Sequence, residues 1–325
     1  MCSSFCQRQT KSASVSKLDI AIAGEINLDL IFYGLPEQMP TERELLASDF
    51  AVTLGSSSAI LAHNLAALGS HVGFVTKVGD DSFGALALER LRERNVDLTR
   101  VIKGGKSGAT LILPHGARRH ILTYPGTISE LRFEELDFDY LISARHFHLS
   151  SLFLQHKLRP HVPELFRRMK SAGLTTSLDT NDDPDDRWDI DEVLPHVDIF
   201  LPNEREAMKI ARADDVETAL RQLANKVETV VVKLGGRGAV AIHSGQRISS
   251  SAVSVTIVDP VGAGDSFDAG FLHKFLGGAD LTVCLAYGNL CGALSTTDCG
   301  GTEAFRDDAK VREFLFKHAS EGAKL

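Results

Sequence analysis

Strand-like and helix-like segments that alternate along most of the chain predict an α/β fold. The expected form is a three-layer α/β/α sandwich around a mostly parallel central sheet, with a small β-sheet lid. Three observations carry this. Beyond residue 145, short apolar β-branched runs take turns with amphipathic stretches. Around His115-Gly116, two alternating runs read as a β-hairpin that breaks the rhythm, as does the segment 30–53. Near the end, an alternating run at 253–258 enters a glycine-rich turn and then a helix.

In order, 18–32 reads as one strand whose tip carries Asn27 and Asp29. Residues 59–68 read as a helix ended by Gly69. A short strand at 71–77 and an amphipathic helix at 83–94 follow, then the hairpin runs 109–113 and 119–124. Strands at 145–149, 175–179, 197–201 and 229–234 then alternate with helices at 159–171, 204–211 and 216–225. After the 253–258 strand, Phe267, Phe271, Leu272, Phe275 and Leu276 mark one helical face. No internal repeat is visible. Residues 1–17, Ser-rich with Arg8, Lys11 and Lys17 and no acid, read as a disordered tail, so that 18–325 forms one domain with lid inserts at about 30–53 and 106–126. Ligands of such sheets bind outside the carboxyl ends of the strands.

The chain has 325 residues, 35 Lys plus Arg against 43 Asp plus Glu, and a formal charge of −8. That balance argues against nucleic acid as a partner, which needs a basic face. No run of 18 apolar residues exists, so no membrane span is expected. Five widely spaced cysteines suit reduced thiols and a cytoplasmic setting, with Cys284 and Cys291 in an apolar stretch as packing residues. The run Asp182-Asp183-Pro184-Asp185-Asp186 reads as a solvated loop. The terminal Ala323-Lys324-Leu325 is one residue from a peroxisomal address.

Chemistry concentrates at Gly262-Ala263-Gly264-Asp265. The first amides of a helix lack partners, and small residues let an anion reach them. A carboxylate at the same point suits a base that takes a hydroxyl proton while Gly262, Ala263 and Gly264 receive a transferring phosphoryl group. The same residues also read as a helix N-cap after a glycine turn. Asn203 and Glu206, three apart at a helix start, face one way and suit either a hydrated Mg²⁺ or a capping box.

The stretch Asp259-Pro-Val-Gly-Ala-Gly-Asp265-Ser-Phe-Asp-Ala-Gly-Phe271 closely resembles the C-terminal signature of the ribokinase (PfkB) family of carbohydrate kinases. Other landmarks fall in that family's order: Gly24-Glu-Ile-Asn27-Leu-Asp29, Gly79-Asp80-Asp81-Ser-Phe83-Gly84, Pro202-Asn203-Glu204-Arg-Glu206, Lys233-Leu-Gly235-Gly-Arg-Gly238, and Asn289. The resemblance spans about residues 18–305. It implies a ribokinase-like fold and an ATP-dependent sugar kinase, a phosphotransferase with an alcohol acceptor, acting on a carbohydrate or sugar acid. Asp265 would be the base and the Gly262–Asp265 backbone the anion hole. Asn27, Asp29 and Gly55 would hold the sugar. Asn203, Lys233, Gly235, Gly238 and Asn289 would serve the nucleotide, Glu206 the Mg²⁺, with K⁺ as a further cation and a homodimer formed through the lid.

The chain departs from the family at Gly55-Ser56-Ser57-Ser58, where a second glycine and a later asparagine are expected and Ser56 and Ile60 stand. The serine hydroxyls become candidate sugar contacts, and Arg119 in the lid a contact for an acidic sugar. An adenosine-type nucleoside kinase, a serine hydrolase using Ser57 in a nucleophile elbow, and a non-catalytic sensor are the rival readings. Gly105-Lys106-Ser107 is no P-loop, since Arg100 occupies the required glycine, and Phe267 breaks any dinucleotide fingerprint. His146, His148, His156 and His161 lack zinc-site spacing.

Overall fold

A computed structural model describes residues 18–115 and 118–322. The N-terminal tail, Cys2, Cys6, Gly116 of the hairpin turn and the terminal Ala-Lys-Leu lie outside the described residues. The strands are β1 (Ile20–Ala23), β2 (Asn27–Tyr33), β3 (Asp49–Gly55), β4 (Val72–Val75), β5 (Lys77–Val78), β6 (Ile102–Lys103), β7 (Gly108–His115), β8 (Arg118–Tyr124), β9 (His146–Ser150), β10 (Thr175–Asp179), β11 (Ile199–Phe200), β12 (Thr229–Lys233), β13 (Ala239–His243) and β14 (Gln246–Ser250). The helices are α1 (Ser57–Ala67), α2 (Ser82–Arg92), α3 (Phe138–Leu141), α4 (Val162–Ser171), α5 (Glu204–Ala211), α6 (Val216–Ala224), α7 (Ala263–Leu276), α8 (Leu281–Ser295) and α9 (Asp308–Gly322).

The central sheet runs β14-β13-β12-β11-β10-β9-β1-β4, parallel from β12 to β4 and antiparallel at β13 and β14. Strand alternation sends its side chains to two faces. In β1, Ala21 and Ala23 join the apolar layer under α4, α5 and α6, while Ile20 and Ile22 join the layer under α1, α2, α7 and α8. This is the expected three-layer sandwich. A second sheet, β3-β2-β7-β8, stands at the carboxyl end of β1.

Several local expectations change. The single strand at 18–32 is two strands in different sheets, because the chain turns at Gly24-Glu25-Ile26. The run at 253–258 forms no strand: it continues past the edge strand β14 without pairing to it, tied at its start by Asn289 and at Val258 by the Thr296 carbonyl. The first residues of the 159–171 helix are a 3₁₀ turn ahead of α4. The β13–β14 hairpin, α8 and α9 had no counterpart in the sequence reading. The acidic run is not wholly solvated, since Asp183 is buried and accepts from the amides of Asp185, Arg187 and Trp188.

One face of the sheet carries a buried polar row. His146 bonds Thr175 and Ser177, Ser177 bonds His148, and His148 bonds Ser150, all at 2.6–2.7 Å. Burial holds both imidazoles neutral, pushing each down to about 3. They are core residues, not metal ligands. Cys284 and Cys291 are buried free thiols. Among the described residues, no helix is long and apolar enough to cross a membrane.

Candidate active site

One group of candidate residues starts where β1 gives way to β2. Gly24 must be bare, because an added Cβ would sit 2.0 Å from Ser58 Oγ. The next residue, Glu25, is buried and accepts from the Ser58 amide at 3.2 Å and the Ser58 hydroxyl at 2.7 Å, so a carboxylate meets the N-terminus of α1. Burial pushes Glu25 above the usual carboxylate range. Asn27 and Asp29 follow on one face of β2, both buried. Asn27 Nδ2 donates to Thr110 Oγ1 at 2.7 Å, and Ser56 Oγ donates to Asn27 Oδ1 at 3.0 Å. Gly55 lies directly opposite Asn27, and a Cβ there would come within 2.1 Å of Asp29 Oδ1 and 2.4 Å of Asn27 Oδ1. Asp29 is pushed up to about 7 by burial and by the charges of Asp265 and Asp259, against a hydrogen bond from Thr110 and the charge of Arg119. Arg119 itself is exposed at the start of β8, acting on Asp29 only through its field.

A second group of candidate residues stands at the start of α7. Gly262 is its N-cap, at φ 74°, with Gly301 Cα 2.3 Å from where a Cβ would stand. Both constraints demand glycine. Among the described residues, the amides of Gly262, Gly264 and Asp265 have no acceptor, and that of Ala263 reaches Pro260 O only at 3.4 Å. Asp265 occupies the third helical position and makes no capping bond, so the alternative reading as an N-cap fails. It is pushed up to about 6. Burial contributes most, then Asp179, with Lys233 and a hydrogen bond from Ser57 pulling down and Glu25 adding a smaller push.

Beside the anion hole opens a cavity of about 430 Å³, lined by the extended 252–257 segment together with Gly238, Ala263, Phe267 and Ala293. Gly235 and Gly238, both at positive φ, form its turn; at Gly238 a Cβ would meet Ser250 O at 2.1 Å. Asn289 borders the cavity, but its Nδ2 donates to Ser250 O and Ser251 O, which anchors the segment rather than presenting an amide to a ligand. Lys233 also borders it, yet its ammonium points into the protein. Nζ donates to Asp179 Oδ2 at 2.6 Å and to the two Asp268 oxygens at 3.0 and 3.2 Å.

Asn203 and Glu206 form a capping box on α5. Asn203 Oδ1 accepts from the Glu206 amide at 3.0 Å and Glu206 Oε2 accepts from the Asn203 amide at 2.8 Å. Glu206 is buried and pushed up to about 8 by burial and by Asp179, with Lys233 opposing. Oxygen donors of this kind, in surroundings that already hold excess negative charge, fit a hard divalent cation.

Asn27, Asp29, Gly55, Ser56 and Asp265 therefore meet in one cleft, with the Gly262–Gly264 amides beside them and the cavity beyond. Glu206 and Lys233 flank it. Glu25, Thr110 and Asp268 are the site residues that sequence reasoning missed. Asp268 had a visible signal, lying three residues after Asp265 on the same helix. Ser57 opens α1 beside Asp265, and His63 in the same helix is buried against Asn64.

Comparison with known proteins agrees with this geometry. The family model described as pfkB family carbohydrate kinase matches residues 17–308. An ATP-dependent ribose-1-phosphate kinase of Halopiger xanaduensis is 32% identical over 266 residues, covering 80% of this chain and 86% of that one. A deoxyribokinase of Salmonella typhi is 29% identical over 308 residues, covering 92% and 99%. A crystal structure from Escherichia coli, provisionally named ribokinase II and holding ATP and Mg²⁺, superposes with a TM-score of 0.82 at 24% identity, covering 93% of this chain and all of that one.

Proposed function

The chain belongs to the pfkB family of carbohydrate kinases, a phosphotransferase with a hydroxyl acceptor, and from that premise we propose that it moves the γ-phosphoryl group of ATP to a hydroxyl of a sugar or sugar acid, with Asp265 as the base. The observation that carries this reading is the position of Asp265. A carboxyl raised to about 6 stands at the mouth of an uncapped helix start, with Asp29 and Asn27 on one side and a nucleotide-sized cavity on the other.

The acceptor hydroxyl loses its proton to Asp265 as its oxygen bonds the γ-phosphorus. The bond from that phosphorus to the β-phosphate oxygen breaks, and ADP leaves. Negative charge spreads over the transferring oxygens, where the amides of Gly262, Ala263 and Gly264 and the dipole of α7 receive it. Asp29, Asn27 and Ser56 hold the acceptor, and Gly55 leaves the room for it. Arg119 overhangs that end and suits an acceptor that carries an anionic group. Asn203 and Glu206 would hold Mg²⁺, which neutralises phosphate charge when bound. Positioning and electrostatics supply most of the acceleration in such transfers.

The sheet β3-β2-β7-β8 is read as a lid. Its face opposite Asp29 exposes Phe50, Leu122 and Tyr124 by 62, 54 and 55%, which supports a homodimer formed there. Free thiols at Cys284, Cys291 and Cys299 suit a cytoplasmic enzyme.

The test is ADP release from Mg-ATP across a panel of pentoses, hexoses, sugar acids and sugar phosphates, with nucleosides as a separate arm. Turnover on one compound that falls by roughly 10²–10⁴ in Asp265→Asn, with ATP still bound, is the expected result. Undiminished turnover in that variant removes the base, and failure to bind ATP removes the nucleotide site.

A further inference from the structure

The ammonium of Lys233 acts on Asp265 and has no donor to spare: its N–H groups meet three carboxylate oxygens of Asp179 and Asp268. A phosphate contact through Lys233, implied by family resemblance, would break this arrangement. Its place is equally specific, since a Cβ on Gly264 would lie 3.6 Å from Nζ, so the charge sits directly beneath the anion hole. We propose that Asp179, Lys233 and Asp268 form a positioning cluster that touches neither substrate and supplies the fixed charge beneath Gly264 and Asp265 against which phosphoryl transfer runs.

The cluster is built for that task. Asp179 and Asp268 converge on the same ammonium. Burial pushes both carboxyls up. At Asp179 the Lys233 charge and the hydrogen bonds it receives together outweigh burial, so it stays below its ordinary range, while Asp268 is raised well above. Lys233 and Asp179 face the site from β12 and β10, with Glu206 on α5 as a further charged neighbour of both. Asp265 meets Ser57 from α1, Glu25 from the β1–β2 turn and Asp29 from β2 as its other polar neighbours. Of these groups Lys233 alone is positive. Stability is a poor reason for the cluster, because buried ion pairs seldom outperform apolar packing.

The inference rests on Asp265 as the base. Its test is the pH dependence of kcat/KM in Lys233→Met, Lys233→Arg, Asp179→Asn and Asp268→Asn, with ATP affinity measured by calorimetry. The acid limb should move up by roughly one unit in Lys233→Met and down by a similar amount in Asp179→Asn. Lys233→Arg should restore the limb towards wild type. Asp268→Asn should move it less than Asp179→Asn does, because burial already pushes the Asp268 carboxyl towards its neutral form. ATP affinity should stay within about threefold throughout, a spread worth less than 1 kcal/mol. Coincident limbs, or a loss of ATP affinity in Lys233→Met that exceeds any pH effect, would overturn the proposal. Should Lys233→Met fail to fold, the two isosteric Asn variants carry the test alone. Full turnover in Asp265→Asn would overturn the base assignment first, whereas limbs that ignore Asp179 overturn only the cluster.

Discussion

Gly55 shows how an absent side chain leaves room beside Asn27 and Asp29. With Asp29 Oδ1 only 2.1 Å from its missing Cβ, Gly55→Ala must displace the carboxylate proposed to orient the acceptor. Acceptor KM should rise at least tenfold while ATP binding, read by calorimetry, stays put. Ser56 offers the opposite case: it stands at φ 69° and ψ 132°, where a side chain is strained, and holds Asn27 through its hydroxyl. Ser56→Gly should melt no lower than wild type, since the relief of strain offsets one hydrogen bond, yet acceptor KM should increase. Asp265 must be ionised to act, so kcat/KM should climb with pH through about 6 and level off above it. The sequence made Asn27, Asp29, Gly55 and Asp265 visible because their motifs are local. Glu25 and Thr110 stayed hidden because their partners lie 33 and 83 residues away, a distance that spacing rules do not reach. Asn289 borders the cavity, and its amide also holds main-chain carbonyls that no pattern announces.

Elements were most legible where their pattern matched a single environment. The helix 204–211 and the strand 175–179 were read to the residue, because each buries one consistent face. The alternating run at 253–258 failed as a strand because alternation states a preference for extension and does not supply a pairing partner; the run leaves the edge strand β14 and lines the cavity instead. The reading of 18–32 failed because continuous apolarity hides a change of sheet. The polar row on β9 and β10 makes an element-scale prediction. Ser177 Oγ is shared by His146 Nε2 and His148 Nδ1, so Ser177→Ala leaves two buried ring nitrogens unpartnered. Each such group costs about 1–3 kcal/mol. The variant should lose several degrees of Tm by calorimetry, and its KM values should hold.

Across the whole molecule, the cleft is held at a cost in stability. Asp29 and Asp265 have folded values of about 7 and 6, well above the unfolded carboxyl at about 4. Both fold states are protonated at lower pH, and between about 4 and 7 the unfolded chain releases protons that the folded chain keeps. Their contribution to stability is therefore present in acid and lost as pH rises through 7. Asp29→Asn should match wild type in thermal melts near pH 4 and exceed it at pH 8, even as acceptor binding disappears. The outer face of the β3-β2-β7-β8 sheet predicts association: wild type should sediment as a dimer, and Phe50→Asp with Leu122→Lys as a 35.3 kDa monomer. One contact between distant segments has a last consequence. The start of α7 is wedged against Gly301, and Asn64 in α1 donates to that residue's carbonyl and to Ser266. During synthesis, α7 therefore leaves the ribosome before the wedge that seats it exists. A growing chain should therefore lack the seated start of α7 until residue 301 has emerged.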